Sequence, residues 1–386
     1  MEWIVKRSSE LYVSSSGLSK ASDQFGYGFP FLSYKDVFNN YYAPEKLNTL
    51  VNSTEKDRQK CSVKRGDVFL TRTSETTDEL GMSCVALKDY ENATFNGFTK
   101  RLRPLTEEIV PEYAAYFFRS SYFRAQCQSL ASLITRASLN DGMIRRFKIR
   151  FPKEKKCQEK MGKILLTYDS LIENNTKRIR LLEKMAENLY KEWFVRFRFP
   201  GHENVKMVNG LPNGWKKGAL YDVCEFKRGK NITSSEMKDG TIPVISAGIT
   251  PSGFHSHANV YGISITMSSS GANAGYIAVH YSDIWAADCS YIEEASTPYI
   301  YYVYELLNNI RSIINNFQRG AAQPHVYPRD INRIKMIIPS EDIRKKANEK
   351  IGVIHRQIDN LQKQNSLLAR QRDLLLPRLM SGKLEV

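Results

Sequence analysis

Cysteine is scarce and poorly spaced for chemistry. Cys61, Cys84, Cys127, Cys157, Cys224 and Cys289 include no Cys-x-x-Cys pair. That spacing argues against a zinc frame or a disulfide framework and for free thiols in a reducing compartment. The opening Met1-Glu-Trp-Ile-Val-Lys-Arg7 lacks the layout of a secretory signal. Long hydrophobic runs are missing as well. A spanning helix needs about 18 apolar residues, whereas the most apolar stretch, 299–307, is interrupted by Glu305. A cytoplasmic protein with no membrane partner is expected. Acidic residues are in deficit: 41 Asp and Glu against 56 Lys and Arg leave a net charge of +15. A surplus of that size attracts polyanions, and nucleic acid is the first candidate.

Catalytic signatures are equally absent. There is no Gly-x-Gly-x-x-Gly and no Gly-x-x-x-x-Gly-Lys-Ser/Thr, so dinucleotide and P-loop binding have no support. The Asn/Asp-Pro-Pro-aromatic tetrapeptide with which amino-methyltransferases hold a flipped base does not occur. His255 and His257 have no companion ligands nearby and read as turn histidines, so no metal site is expected. Carboxylates do not cluster as acid–base or metal-dependent cleavage would require. The chain reads as non-catalytic, with no cofactor of its own.

What is present is a duplication. Arg145-Arg-Phe-Lys-Ile-Arg-Phe-Pro152 recurs as Asn332-Arg-Ile-Lys-Met-Ile-Ile-Pro339, and each octet is followed by a long charged helix with a heptad seam. The first seam runs through Met161, Leu165, Tyr168, Ile172, Asn175, Ile179, Leu182, Ala186, Leu189 and Trp193. The second runs through Ala347, Ile351, Ile354, Ile358, Leu361, Asn365, Leu368, Arg372, Leu375 and Leu379, each 186 residues after its counterpart. Alternating steps of four and three are the coiled-coil period. The globular halves match weakly too, Gly17 and 28–33 aligning with Gly229 and 241–246.

The expected fold is therefore mixed α/β. Two duplicated domains are separated by a pair of long antiparallel coiled-coil helices related by a pseudo-two-fold axis. The boundaries are a first domain at 1–152, a central helix at 153–198, a linker at 199–215 rich in Pro and Gly, a second domain at 216–339 and a C-terminal helix at 340–386. Strands are expected at 67–72 and 83–87, and again at 261–267, 275–280 and 284–287; helices are expected at 113–123 and 298–316. Antiparallel pairing places Asn175 opposite Asn365, the only asparagines in either seam. A buried amide pair there would fix register at a cost in stability, though each could equally sit at a solvated point of an imperfect seam.

Basic, amide and hydroxyl residues gather on loops that interrupt strands. In the first domain these are Tyr34, Lys35, Arg72, Thr73, Ser74 and Arg136; in the second, Arg228, Lys230, Ser269, Ser270, Asn273, Arg319, Gln323 and His325. Arg and Lys suit phosphate and guanine, Asn and Gln suit adenine. Singly, each reads as a solvated surface residue, and 268–273 equally as a flexible loop. As two sets on duplicated domains with a large positive charge, they read as a DNA interface.

The order of domain, helix, domain, helix, together with Leu189-Tyr-Lys-Glu-Trp-Phe-Val195, Leu211-Pro-Asn-Gly-Trp215, Leu374-Leu-Leu-Pro-Arg-Leu-Met-Ser-Gly-Lys383 and Gly66-Asp-Val-Phe-Leu-Thr-Arg-Thr-Ser-Glu75, resembles the specificity subunit of Type I restriction–modification systems. The resemblance covers essentially the whole chain. It implies that each domain reads a half-site of double-stranded DNA and that the helices set the gap. It also implies partners: two methyltransferase subunits using S-adenosylmethionine to methylate adenine, and two translocase–restriction subunits using ATP and Mg. Met161 to Trp193 would span roughly 48 Å at 1.5 Å per residue, close to about 14 base pairs. Leu166, Leu171 and Leu181 are expected on the outer helix faces, available to partners. A free-standing bivalent regulator or architectural protein is the alternative, and an enzyme with an unrecognised site comes third. Nothing before the first domain matches 211–215, so its first strand is expected to be shortened.

Overall fold

The computed structural model describes every residue of the chain except 131, 134–136 and 321–323. It divides into two compact units, Met1–Asn174 with Asn365–Val386, and Asn175–Gln364. Each unit therefore takes in one globular domain and a part of each long helix.

Twelve strands belong to the first unit: β1 (Trp3–Arg7), β2 (Tyr12–Ser16), β3 (Phe25–Leu32), β4 (Thr49–Val51), β5 (Val68–Thr71), β6 (Thr73–Ser74), β7 (Ser83–Val85), β8 (Thr94–Phe95), β9 (Thr99–Pro104), β10 (Ser132–Leu133), β11 (Ala137–Ser138) and β12 (Lys148–Pro152). They form sheets ordered β2-β9-β5-β7, β4-β3-β8, β1-β12 and β10-β11-β6. In the second unit a small linker hairpin, β13 (Met207–Val208) and β14 (Leu211–Pro212), precedes β15 (Lys216–Ala219), β16 (Lys227–Arg228), β17 (Ile242–Ile245), β18 (Gly253–His255), β19 (Ser264–Ser268), β20 (Ile277–His280), β21 (Trp285–Ala286), β22 (Cys289–Glu293) and β23 (Lys335–Ile338). Their sheets run β16-β22-β19-β20, β18-β17-β21 and β15-β23.

These orders are the same topology twice. The parallel pairing recurs in register, Leu32 beside Phe95 in one unit and Ile245 beside Ala286 in the other. That places Ser33 and Ser246 at equivalent positions, as the weak sequence match implied. The matched Gly17 and Gly229 also coincide: a Cβ on Gly17 would lie 2.2 Å from the Asn96 carbonyl, and one on Gly229 2.4 Å from the Ala287 carbonyl. Only glycine allows so close a backbone approach.

The repeated octet closes each domain. Its strand pairs antiparallel with the first strand, Trp3 to Pro152 and Lys216 to Ile338. Phe147, Ile149 and Phe151 in one copy, and Ile334 and Ile338 in the other, are buried. β1 is not shortened: it has five residues where β15 has four. Like β15 with β23, β1 pairs with β12 along its whole length.

The first-domain helix expected at 113–123 divides into Pro111–Phe117 and Ser121–Leu130. Between them the Ser120 hydroxyl donates to the Phe117 carbonyl at 2.6 Å and accepts from the Phe123 amide, a local bond that competes with helix continuation. Its counterpart divides at Ile310 into Ile300–Asn309 and Arg311–Asn315.

The long helices are Lys155–Tyr190, continued by a π-helical turn at Lys191–Val195, and Glu341–Ser381. Every seam position of both is buried or half-buried. In the first unit Met161 and Leu165 share a core with Leu376, Leu379 and Met380, while Asp169 pairs with Arg372 further along. Rising numbers on one helix meet falling numbers on the other, so the two run antiparallel. The second unit shows the same sense: Ala186 shares a core with Ile351 and Ile354, and the Asn175 amide donates to the Gln364 side chain at 3.4 Å. Asn175 is buried, and Asn365 is half-buried in the C-terminal helix. Leu171 and Leu181 are exposed as expected, at 44% and 69%. Leu166 is not: it is half-buried against the first unit's core. No helix among the described residues is long and apolar enough to cross a membrane.

Candidate nucleic-acid interface

In both units one candidate loop, 72–74 or 269–273, leaves the carboxyl end of the same central strand. β5 in the first unit is wholly buried, as is β19 in the second. Beyond β5 the chain is clamped by its backbone: the Arg72 amide donates to the Phe98 carbonyl at 3.0 Å, and the Arg72 carbonyl accepts from Leu139 at 2.8 Å. Beyond β19 the Ser269 carbonyl accepts from Val326 at 3.0 Å. Arg72 and Ser269 are thus equivalent positions, and a returning segment lies against each. Arg136 and Gln323, three residues before Leu139 and Val326, lie outside the described residues.

The first unit brings its other candidates together. Thr73 and Ser74 pair with Ser138 and Ala137. The Tyr34 hydroxyl donates to the Thr73 carbonyl at 3.1 Å, and burial raises its pKa. Lys35 is exposed beside it on a helix capped by Ser33. Ser74 is buried and donates to Glu79 at 3.0 Å, so its hydroxyl shapes the loop. Tyr34, Thr73, Ser74, Glu75, Glu79 and Phe98 line a cleft of about 320 Å³.

In the second unit the loops converge around Ser268–Asn273. The Ser270 hydroxyl donates to Asp288 at 2.7 Å, and the Ser269 hydroxyl lies 3.4 Å from that of Ser290. Both serines are almost fully buried; their hydroxyls hold the loop. Asn273 is half-buried in a short 3-10 turn whose Gly271 amide donates to Pro324. Arg319 and His325 exchange backbone hydrogen bonds at 2.9 and 2.8 Å, and the Arg319 guanidinium pairs with Asp330 at 2.8 Å. Arg228 lies opposite Ser290, and the Lys230 amide donates to Ala286. Both cations are exposed. Described candidates of each domain therefore occupy one end of their own unit.

Two site residues carried no clear sequence signal. Phe98 is 61% exposed at the rim of the first cleft, and Asp288 holds the corresponding loop of the second unit. In the Asn96-Gly-Phe98 turn the Phe98 amide donates to the Asn96 side chain at 2.7 Å. Its aromatic tip suits apolar contact with a thymine methyl.

The remaining chemistry is structural. His255 is buried and accepts from the Lys238 amide at 2.9 Å. Burial pushes the thiols of Cys127, Cys224 and Cys289 up to about 12, which leaves them inert as nucleophiles near neutral pH.

Residues 2–184 and 212–370 match the family model of the Type I restriction modification DNA specificity domain. The Type I restriction enzyme MjaIX specificity subunit of Methanocaldococcus jannaschii is 25% identical, the match covering 100% of this chain and 94% of that protein. The HindI specificity subunit of Haemophilus influenzae is 23% identical over 43% of this chain and 36% of its own length. The crystal structure of a Type I system S subunit from M. genitalium superposes with a TM-score of 0.63 at 18% identity, covering 98% of this chain and 96% of that one, which establishes a shared fold. These matches do not favour the free-standing regulator.

Proposed function

Because the chain belongs to the Type I restriction–modification DNA specificity family, we propose that its two domains read separate half-sites of one duplex target and that bound partner subunits perform all the chemistry. The observation that carries this reading is the same strand scaffold presenting two chemically different loop sets. The first offers Tyr34, Arg72, Glu75 and Phe98; the second offers Lys230, Asn273, Arg319 and His325. Equivalent scaffolds with unlike loops are what two independent half-sites require, since bases are read by side chains at groove edges.

Under this reading the partners are two methyltransferase subunits, which bring S-adenosylmethionine and methylate adenine, and two translocase–restriction subunits, which bring ATP and Mg. The long helices set the gap between half-sites. A four-residue insertion after Ile172 adds about 6 Å of helix and is expected to lengthen that gap by one or two base pairs, with both half-sites unchanged.

The decisive experiment replaces residues 17–140 with the equivalent segment of another member of the family and maps methylated sites across a host genome. Only one half of the target is expected to change. Alteration of both halves, or S-adenosylmethionine-dependent transfer to DNA by the purified chain alone, contradicts the reading.

A further inference from the structure

The octet that closes each domain buries Phe147, Ile149 and Phe151 in the first copy and Ile334 and Ile338 in the second, and exposes two cations at the same places in both: Arg146 and Lys148 in the first unit, Arg333 and Lys335 in the second. None of the four forms an ion pair among the described residues. Arg7, also exposed, lies directly opposite Lys148 in the strand register. Facing like charges destabilise a sheet, so the first unit carries a cost that a bound anion would relieve. Asp222 accepts from the amide of Ala219, the residue opposite Lys335, at 2.8 Å. Glu10 is held by the Arg7 amide at 2.6 Å, and Glu225 lines the second patch.

A groove of about 700 Å³ accompanies the second patch and includes Tyr221, Arg329, Arg333 and Lys335. In the first unit a groove of about 330 Å³ includes Ser9 and Arg145, the first residue of the octet, but neither Arg146 nor Lys148. Each patch is joined to the recognition loops of its own unit through one short helix. The helix Asp141–Arg146 begins just after the strand paired with Thr73 and Ser74, and Lys100 anchors Asp141 at 3.0 Å. In the second unit Asp330, which pairs with Arg319, lies beside Arg329 on the helix Pro328–Ile331.

The recognition loops differ between the units, whereas this feature is repeated. What two different half-sites share is not sequence but the phosphate backbone. Given the half-site reading, on which this rests, we propose that Arg146 and Lys148, and Arg333 and Lys335, are sequence-independent phosphate clamps flanking each half-site. They would position each domain on the duplex before its loops read bases.

The test uses the full chain co-produced with its methyltransferase subunit, carrying R146A/K148A, R333A/K335A or both. Affinity is measured from 50 to 200 mM salt for a duplex bearing the target and for a scrambled duplex. Each phosphate contact contributes about 0.9 to the slope of log affinity against log salt. Each double variant is expected to flatten the slope by about 2 and to weaken both duplexes by at least roughly tenfold at the lower salt. R146K/K148R and R333K/K335R should keep the parental slope, and unchanged melting temperatures would show that the fold is intact. Parental slopes in the alanine variants overturn the proposal while leaving the half-site reading in place. So does a loss confined to the target duplex, or reduced methyltransferase co-purification with DNA slopes unchanged, which would assign the patch to the partner protein. A parental complex that binds neither duplex overturns the half-site reading, and the clamps with it.

Discussion

The two units solve one problem, holding a domain on a helix pair, with different chemistry at matched places. In the first, Asp169 pairs with Arg372 and accepts from the Tyr116 hydroxyl at 2.6 Å, while the Arg372 guanidinium lies 4.9 Å over the Tyr41 ring. In the second, His355, 186 residues after Asp169, lies 3.1 Å from Glu305 and 2.8 Å from the Tyr281 hydroxyl, both bonds through ring nitrogens. Backbone pairing is preserved between the units, and the buried polar groups are exchanged. Topology here tolerates new side chains so long as each buried polar group still finds a partner.

The sharpest way to break the comparison is to orphan one cluster. Asp169→Ala leaves the Arg372 guanidinium largely buried, with the exposed neighbour Asp373 as its one remaining ion-pair partner among the described residues. About 3 kcal/mol should be lost, seen as a lower melting temperature and as faster hydrogen exchange confined to the first unit. Glu305→Ala, which leaves an imidazole without one hydrogen bond, should cost less, about 1–2 kcal/mol. Equal losses would show that the Arg–Asp and His–Glu arrangements are energetically interchangeable.

Acid should separate the units next. His280 is half-buried with a ring nitrogen 2.8 Å from the Thr266 hydroxyl, and its desolvation lowers its pKa to about 4. The equivalent position in the first unit, by strand register, is Ala86. The folded second unit resists a proton that the unfolded chain accepts at the ordinary value of about 6.5. Stability contributed by the neutral ring is therefore full above about 6.5 and lost as pH falls from there toward about 4. The decline should reach about 3 kcal/mol, localised to the second unit by hydrogen exchange and flattened in His280→Asn. Equal acid sensitivity in the first unit would remove His280 as its source.

Smaller effects sharpen the difference between loops. Arg72→Ala should cost roughly 1–3 kcal/mol on duplexes with an intact first half-site and little once that half is scrambled, and Arg319→Ala should do the same at the second. A uniform loss with a shallower salt slope would make either residue a phosphate contact. Smallest of all, Leu181→Ser should shift stability by less than about 0.5 kcal/mol, because Leu181 is 69% exposed. A larger loss by thermal melt would mean that residue is structural.

Much of this architecture was legible because the seam and the octet are periodic or repeated, and periodicity reports which face is buried. Leu166 misled because a seam counts only the partner helix, whereas the globular domain packs against a second face. The helix break at Ser120 was hidden because a single hydroxyl bond decides it. The candidate site was legible as loops, not as surfaces. Ser269 and Ser270 sit in the expected place with their hydroxyls turned to Ser290 and Asp288. Phe98 and Asp288 gained their positions only through strand pairings between distant segments, which no local pattern records.

The closing strands have an evolutionary consequence. Trp3 lies beside Pro152 and Lys216 beside Ile338, so each domain begins and ends on neighbouring strands with a like-for-like octet at its exit. Two genetic crossovers, one near each strand, would transplant an entire half-site reader and leave the heptad phase of the following helix undisturbed. Recombination between relatives at these strands would thus exchange one domain as a unit.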